Sequence, residues 1–205
     1  MAQVTSGMRA ILSSPHVYSL FQNLMGARTG WARFVEQDVR PKVSDVVLDV
    51  GCGPADVLDY LPALTYWGFD ISTRYIELAR RKYGAQGNFL CKLLEQSDLP
   101  TLPRFDIVIA SGLLHHLEDV EARQLLSLAH QALKPGGRLV TIDPCLVPGQ
   151  NPLARFLIER DRGRNVRSET AYSALAESTF ERIEVKVRHK PWIPYTHCIM
   201  ECTRT

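Results

Sequence analysis

No stretch of this chain is apolar for long enough to cross a bilayer, and its opening residues, MAQVTSGMRAILSS, contain no hydrophobic segment of the kind a secretory signal needs. A membrane-spanning or exported protein is therefore not expected, and a soluble cytoplasmic one is. Charge of one sign is also missing: 24 Lys and Arg stand against 22 Asp and Glu, a net charge of +2. So small an excess provides no broad basic surface, which makes nucleic acid an unexpected partner. The five cysteines, Cys52, Cys91, Cys145, Cys198 and Cys202, are odd in number and form no CxxC pair. Neither a disulfide framework nor a zinc site is expected from them. There is no internal repeat and no low-complexity tract, which excludes solenoids and linker-like chains. What remains is 205 residues, 45% of them hydrophobic and 22% charged, enough for one globular unit with a substantial core.

What is present is an alternation of two periods. Residues 14–25, SPHVYSLFQNLM, place Ser14 as an N-cap, Pro15 at the first helical position, and Val17, Leu20, Phe21 and Leu24 on one face. A second helix around Trp31, Phe34, Val35 and Val39 stops before Pro41. The pattern then changes to short continuous apolar runs, as in strands buried on both faces: VVLDV (46–50), YWGFD (66–70), NFLCKL (88–93), RFDIVIA (104–110) and RLVTID (138–143). Helical patterns separate them, one begun by Ser72 and stopped by Gly84, another over 118–133 with acids in its first turn and KPGG (134–137) breaking it. Strands alternating with helices predict βαβ units. After helices near 151–160 and from Ser168 to Glu177, RIEVKV (182–187) and HCIMEC (197–202) form a hairpin at the sheet edge. The fold class expected is α/β: an open, doubly wound, mostly parallel seven-stranded sheet with an antiparallel C-terminal hairpin strand and an N-terminal helical cap. Residues 1–40 would be that cap and 41–205 the cofactor-binding body of the same domain.

In such sheets ligands lie beyond the carboxyl ends of the strands, where strand order reverses. The segment LDVGCGPAD (48–56) sits there, and its glycines let a ligand approach the main chain with no Cβ in the way. A dinucleotide fingerprint, GxGxxG, requires a small residue at position 56, where this chain has Asp56, whose charge opposes a pyrophosphate. NAD is thus disfavoured. The segment instead resembles the first motif of class I S-adenosylmethionine-dependent methyltransferases, D/E-x-G-x-G-x-G, here Asp49, Gly51 and Gly53 with Ala55 in the third glycine's place. The resemblance covers roughly residues 43–145. Asp70, in GFDIS, matches the acid that in this family accepts hydrogen bonds from both ribose hydroxyls; LLEQSDLP (93–100) puts Glu95 at the adenine amino group, with Asp98 as its rival. FDIVIASGLLHHL and LKPGGRLVTID resemble the family's fourth and fifth strands. The resemblance implies S-adenosylmethionine as cofactor, S-adenosylhomocysteine as product, and contacts from Cys52, Ile71, Gln96 and Ser111 beside Asp49, Gly51, Gly53, Asp70 and Glu95. Cys52 has no neighbouring base and is read as a backbone contact, not a nucleophile.

A sulfonium methyl needs little beyond alignment with its acceptor, but an acceptor carrying a hydroxyl or ammonium proton also needs a base. His115 and His116 follow the fourth strand, and an imidazole with an ordinary pKa near about 6.5 suits that role. His115 is preferred and His116 is its alternative, set against the reading that both only cap or fill the loop. No Asn/Asp-Pro-Pro-Tyr/Phe segment and no acid cluster with lysine follows, so neither amino methylation of adenine or glutamine nor metal-dependent catechol methylation is expected. The acceptor pocket is sought in the segment after the fifth strand, where ARFLIERDRGRNVR carries five arginines, among them Arg164 and Arg167. They suit an anionic acceptor or a solvated helix face equally. Tyr195 and His197 are further acceptor candidates. The activity expected is O-methylation of a small or modest-sized acceptor; a macromolecular acceptor, RNA or protein, and a cofactor-binding regulator without turnover are the alternatives.

Overall fold

The computed structural model describes residues 27–159, 163–189 and 195–205. Seven strands, β1 (Val46–Val50), β2 (Thr65–Phe69), β3 (Asn88–Leu90), β4 (Phe105–Ser111), β5 (Leu133–Pro144), β6 (Arg182–His189) and β7 (Thr196–Thr203), form one sheet in the order β3-β2-β1-β4-β5-β7-β6. β1 to β5 pair in parallel, and β7 runs antiparallel to both β5 and β6. This is the expected mostly parallel sheet with an antiparallel C-terminal hairpin.

The helices are α1 (Ala27–Phe34), α2 (Thr73–Tyr83), α3 (Asp119–Ala132), α4 (Pro152–Glu159) and α5 (Glu169–Ala176). Residues alternate between the two faces of the sheet along each strand. Leu48, Val50, Val108 and Ala110 meet Leu126 of α3 and Tyr172 of α5 on one face. Val47, Ile107 and Ile109 meet Phe34 of α1 and Ile76 of α2 on the other. That two-sided burial is why the inner strands read as unbroken apolar runs. Leu48 and Leu126 are both fully buried, so truncating either to alanine would cost about 2–5 kcal/mol.

Local signals set the helix ends. Ser72 Oγ accepts from Tyr75 N to start α2, and Gly84, at φ 52°, ends it. Ser168 Oγ accepts from Ala171 N at the start of α5. α1 continues as a π-helical turn, Val35–Val39, and stops at Arg40, which is left-handed at φ 45° ahead of Pro41. The helix expected over 14–25 lies outside the described residues, as do residues 160–162 and 190–194.

One element departs from the sequence pattern. KPGG does not separate α3 from β5; the strand begins at Leu133 and carries the motif as an irregularity in its register with β4. Backbone bonds to Arg204 from Gly136 N and to Gly137 O hold that bend to the chain's end, and Gly137 faces three carbonyl oxygens that leave no room for a Cβ. The chain after the glycine loop enters a 3₁₀ turn, Asp56–Tyr60. Ala55 precedes it in the left-handed region at φ 60°, a conformation glycine adopts freely and alanine at a cost, which accounts for the family's usual glycine there.

Candidate active site

Strand order reverses between β1 and β4, since the chain winds outward from β1 to β3 and in the opposite direction from β4. The loops that leave these two strands therefore face one crevice. They touch: a Cβ on Gly51 would lie 3.1 Å from the Leu113 methyls. Gly51 N and Cys52 N both donate to Phe69 O, which ties the glycine loop to the end of β2. Gly51 (φ 73°) and Gly53 (φ 55°) are left-handed, and a Cβ on Gly53 would meet nothing within 4 Å. The loop thus presents bare backbone to open space. Cys52 is buried against Gly68, and burial, followed by the charges of Asp49 and Asp70, pushes its thiol far up. It stays protonated and is no nucleophile.

Asp49 is only 3% exposed. Its Oδ2 accepts from Tyr66 Oη at 2.7 Å, while Oδ1 is buried without a hydrogen-bond partner. Burial raises its carboxyl to about 7 against the lowering effect of the Tyr66 hydroxyl, with Asp70 adding to the rise. An unpartnered acceptor beneath an open glycine loop suits a ligand bearing a cationic donor. Asp70 bridges the two loops: Oδ2 accepts from Gly53 N at 2.9 Å and Oδ1 from Ser72 N at 2.7 Å. A carboxylate has roughly four acceptor sites, so two bonds leave capacity for a diol. These features fit S-adenosylmethionine.

The remaining expected cofactor residues spread around the crevice. Ile71 is exposed beside Asp70, and Ser111 is half-buried at the end of β4. Glu95 has a side chain 62% exposed, at the start of the 3₁₀ turn Gln96–Thr101. Its rival Asp98 is committed within the chain, accepting from Glu95 N and from Lys92 Nζ, both at 2.9 Å. Gln96 turns toward α3, where its Nε2 donates to Gln131 Oε1.

His115 and His116 form a 3₁₀ turn, Leu114–His116, with their rings 4.0 Å apart. His115 is 5% exposed, and His116 is half-buried. The His115 Nδ1 lies 2.7 Å from Asp143 Oδ1, which also accepts from the His115 backbone N at 3.1 Å. Asp143, next to the last residue of β5 and one strand away, was not singled out from the sequence; an acid closing the apolar run RLVTID was the available signal. Gly163 packs on the ring at Cδ2, where a Cβ would overlap it, and Asn165 N donates to His115 O. Arg167, with a side chain 9% exposed, spends its five N–H groups on Asp119 Oδ1 (twice), Leu114 O, Leu117 O and Asn165 O. It clamps the histidine turn and has no N–H left for an anionic acceptor.

Arg164 is exposed on the same connection. Tyr195 and His197 lie with rings 5.0 Å apart at the start of β7. Tyr195 borders a cavity of about 540 Å³ between the 147–151 turn and the ends of β6 and β7. The site's parts therefore fall into three groups: a glycine loop with two carboxylates, a buried His–Asp pair, and an adjoining cavity.

The fold is that of an α/β protein with an open parallel sheet, and the glycine loop with its two carboxylates fits a nucleotide cofactor. The comparisons with known proteins sharpen that class. A family model described as a methyltransferase domain matches residues 47–137. The chain is 29% identical over 169 residues to a ubiquinone/menaquinone biosynthesis C-methyltransferase of Desulfotalea psychrophila, covering 77% of this chain and 67% of that protein. It is 29% identical over 137 residues to a demethylmenaquinone methyltransferase of Lactobacillus johnsonii, covering 62% and 55%. Human N-acetylserotonin methyltransferase, solved in complex with S-adenosylmethionine, superposes at a TM-score of 0.66 with 20% identity, over 94% of this chain and 58% of that one. The chain thus spans between about half and two thirds of the length of these relatives. Residues 47–137 are similar to a methyltransferase domain, and the chain shares the fold of S-adenosylmethionine-dependent methyltransferases. Among the described residues, no helix is long and apolar enough to cross a membrane.

Proposed function

We propose that this protein transfers the methyl group of S-adenosylmethionine to an oxygen of a small acceptor, with His115 removing the acceptor's proton. The observation that carries this reading is the buried contact of His115 Nδ1 with Asp143. A carboxylate on Nδ1 selects the tautomer with the proton there and leaves the lone pair on Nε2. Gly112 and Gly163 adjoin Cε1 and Cδ2, the carbons on either side of Nε2. Asp143 also stabilises the imidazolium once the proton has arrived.

Gly51, Gly53, Asp49 and Asp70 would hold the cofactor, with Ile71 and Glu95 toward its adenine end. When bound, it supplies a sulfonium methyl as electrophile. The chain's own residues position the acceptor, exclude water and take up one proton. His116, stacked on His115, is the alternative base.

The test is transfer of labelled methyl into a fractionated lysate by wild type, His115→Ala and Asp143→Asn, with S-adenosylhomocysteine binding measured alongside. Both variants should bind S-adenosylhomocysteine as wild type does. His115→Ala should lose about 10²–10⁴-fold in transfer, the usual worth of a general base. Undiminished transfer by His115→Ala sinks the proposal, and label in RNA or protein moves the acceptor to a macromolecule.

A second reading is transfer to carbon, favoured by the C-methyltransferase name of one relative. The same base would ionise a ring hydroxyl and the adjacent carbon would attack. The number of free hydroxyls in the product separates the two.

A further inference from the structure

We propose that Tyr66 is a positioning residue for the cofactor: its hydroxyl fixes one oxygen of Asp49, so that binding of the cofactor's cationic nitrogen displaces a proton from the other. The inference rests on the reading of Asp49 as a cofactor residue. It adds a residue outside the glycine loop and a proton linked to binding.

Register brings the pair together. Asp49 on β1 stands opposite Gly68 on β2, and Tyr66, two residues before Gly68, shares its face. A Cβ on Gly68 would lie 3.0 Å from Tyr66 Cε1, so the ring runs across the bare backbone of Gly68 to reach Asp49. Tyr66 Oη donates to Asp49 Oδ2 at 2.7 Å, with Asp49 3% and Tyr66 1% exposed. Phe89 packs against the ring with centroids 5.9 Å apart. A phenol has one O–H to donate, and this one is given to Asp49.

The two oxygens of Asp49 are thereby unequal. With Oδ2 accepting from Tyr66, a proton on the carboxyl sits on Oδ1, the buried oxygen that has no hydrogen-bond partner among the described residues. A proton and a ligand N–H cannot both occupy that oxygen. An incoming ammonium therefore replaces the proton: the O–H bond leaves its electron pair on Oδ1, the proton passes to water, and the carboxylate so formed faces the cation. Burial raises the Asp49 carboxyl to about 7 against the lowering effect of the Tyr66 hydroxyl, with Asp70 adding a like charge, so the free chain holds this proton up to neutral pH. The other titratable groups packed around it keep theirs. Burial pushes the Cys52 thiol and the Tyr66 hydroxyl far up and the Tyr83 hydroxyl of α2 to about 12, and behind Tyr83 the side chains of Lys82 and Asp59 pair at 2.7 Å. From β4 and α1 come Ile109 and Phe34, which do not titrate.

The experiment is calorimetric titration of the full chain with S-adenosylhomocysteine at about pH 6 and about pH 8, each in a pair of buffers of different ionisation heat, which reads affinity and released protons together. Wild type should release about one proton at the lower pH and almost none at the higher, and bind about tenfold more tightly at the higher. Tyr66→Phe removes the bond that lowers the Asp49 carboxyl, so it should still release a proton at the higher pH and bind there about tenfold more weakly than wild type. Asp49→Asn has no proton to lose and should bind equally at both pH values; it decides the proton's source if Tyr66→Phe does not fold. Binding by wild type with no release and equal affinity at both pH values overturns the inference and leaves the cofactor reading in place. A Tyr66→Phe profile that matches wild type overturns the role of Tyr66, and release retained by Asp49→Asn overturns the assignment to Asp49. Failure of wild type to bind S-adenosylhomocysteine at all overturns the cofactor reading and this inference with it.

Discussion

Replacing Asp49 by asparagine isolates the one buried carboxyl that the glycine loop leaves half-partnered. Its carboxyl is raised from 3.8 to about 7, mainly because burial disfavours the anion. The folded chain therefore holds a proton that the unfolded chain releases. The stability this contributes is complete below the unfolded value of 3.8 and is lost as pH rises through about 7. About three pKa units at 1.36 kcal/mol each give a total on the order of 4 kcal/mol. Between about pH 6 and about pH 8.5 the wild type should lose roughly 1–2 kcal/mol of it. For a chain of this length that is a fall of about 3–6 °C in Tm. Asparagine keeps an oxygen for the Tyr66 hydroxyl and does not titrate. The assay is thermal unfolding of both proteins at the two pH values without ligand. The Tm of Asp49→Asn relative to wild type should rise by about 3–6 °C from the lower pH to the higher. A constant difference would refute the buried proton.

Other perturbations follow from the same geometry. Asp70→Ala removes the acceptor of Gly53 N and Ser72 N, and should weaken S-adenosylhomocysteine by at least about tenfold in calorimetry; unchanged affinity would remove Asp70 from the site. Arg167→Ala removes a donor from each of the carbonyls of Leu114, Leu117 and Asn165 and should destabilise the chain by about 2–4 kcal/mol, read by denaturant unfolding. A loss below about 0.5 kcal/mol would show that the clamp is idle. Gly163→Ala sets a methyl against the His115 ring, so methyl transfer should fall while cofactor affinity holds; equal transfer would mean that this contact does not position the base. Tyr172→Phe removes a buried hydroxyl bonded to Pro144 O and should cost about 0.5–1.5 kcal/mol by the same unfolding measurement.

The sequence by itself determined the layered α/β architecture, because each strand's apolar run and each helix's caps are local patterns. VVLDV is apolar on both faces since both faces are covered, and Ser72, Gly84 and Ser168 act within a turn or two of themselves. The glycine loop was equally legible, for its spacing must meet a ligand within a few residues. KPGG was misread as a helix breaker alone because its bend is held by Arg204, some 67 residues onward, and no local pattern carries that. Tertiary structure alone decided what the functional groups do. His115 acquires Asp143 only because β4 and β5 lie side by side, 28 residues apart in sequence. Arg167 suits an anion handle or a solvated helix face equally by sequence, and the fold spends it on the turn that carries His115. The cavity bordered by Tyr195 gathers the 147–151 turn and the ends of β6 and β7, and contacts at such range follow from packing the whole chain rather than from any one stretch of it.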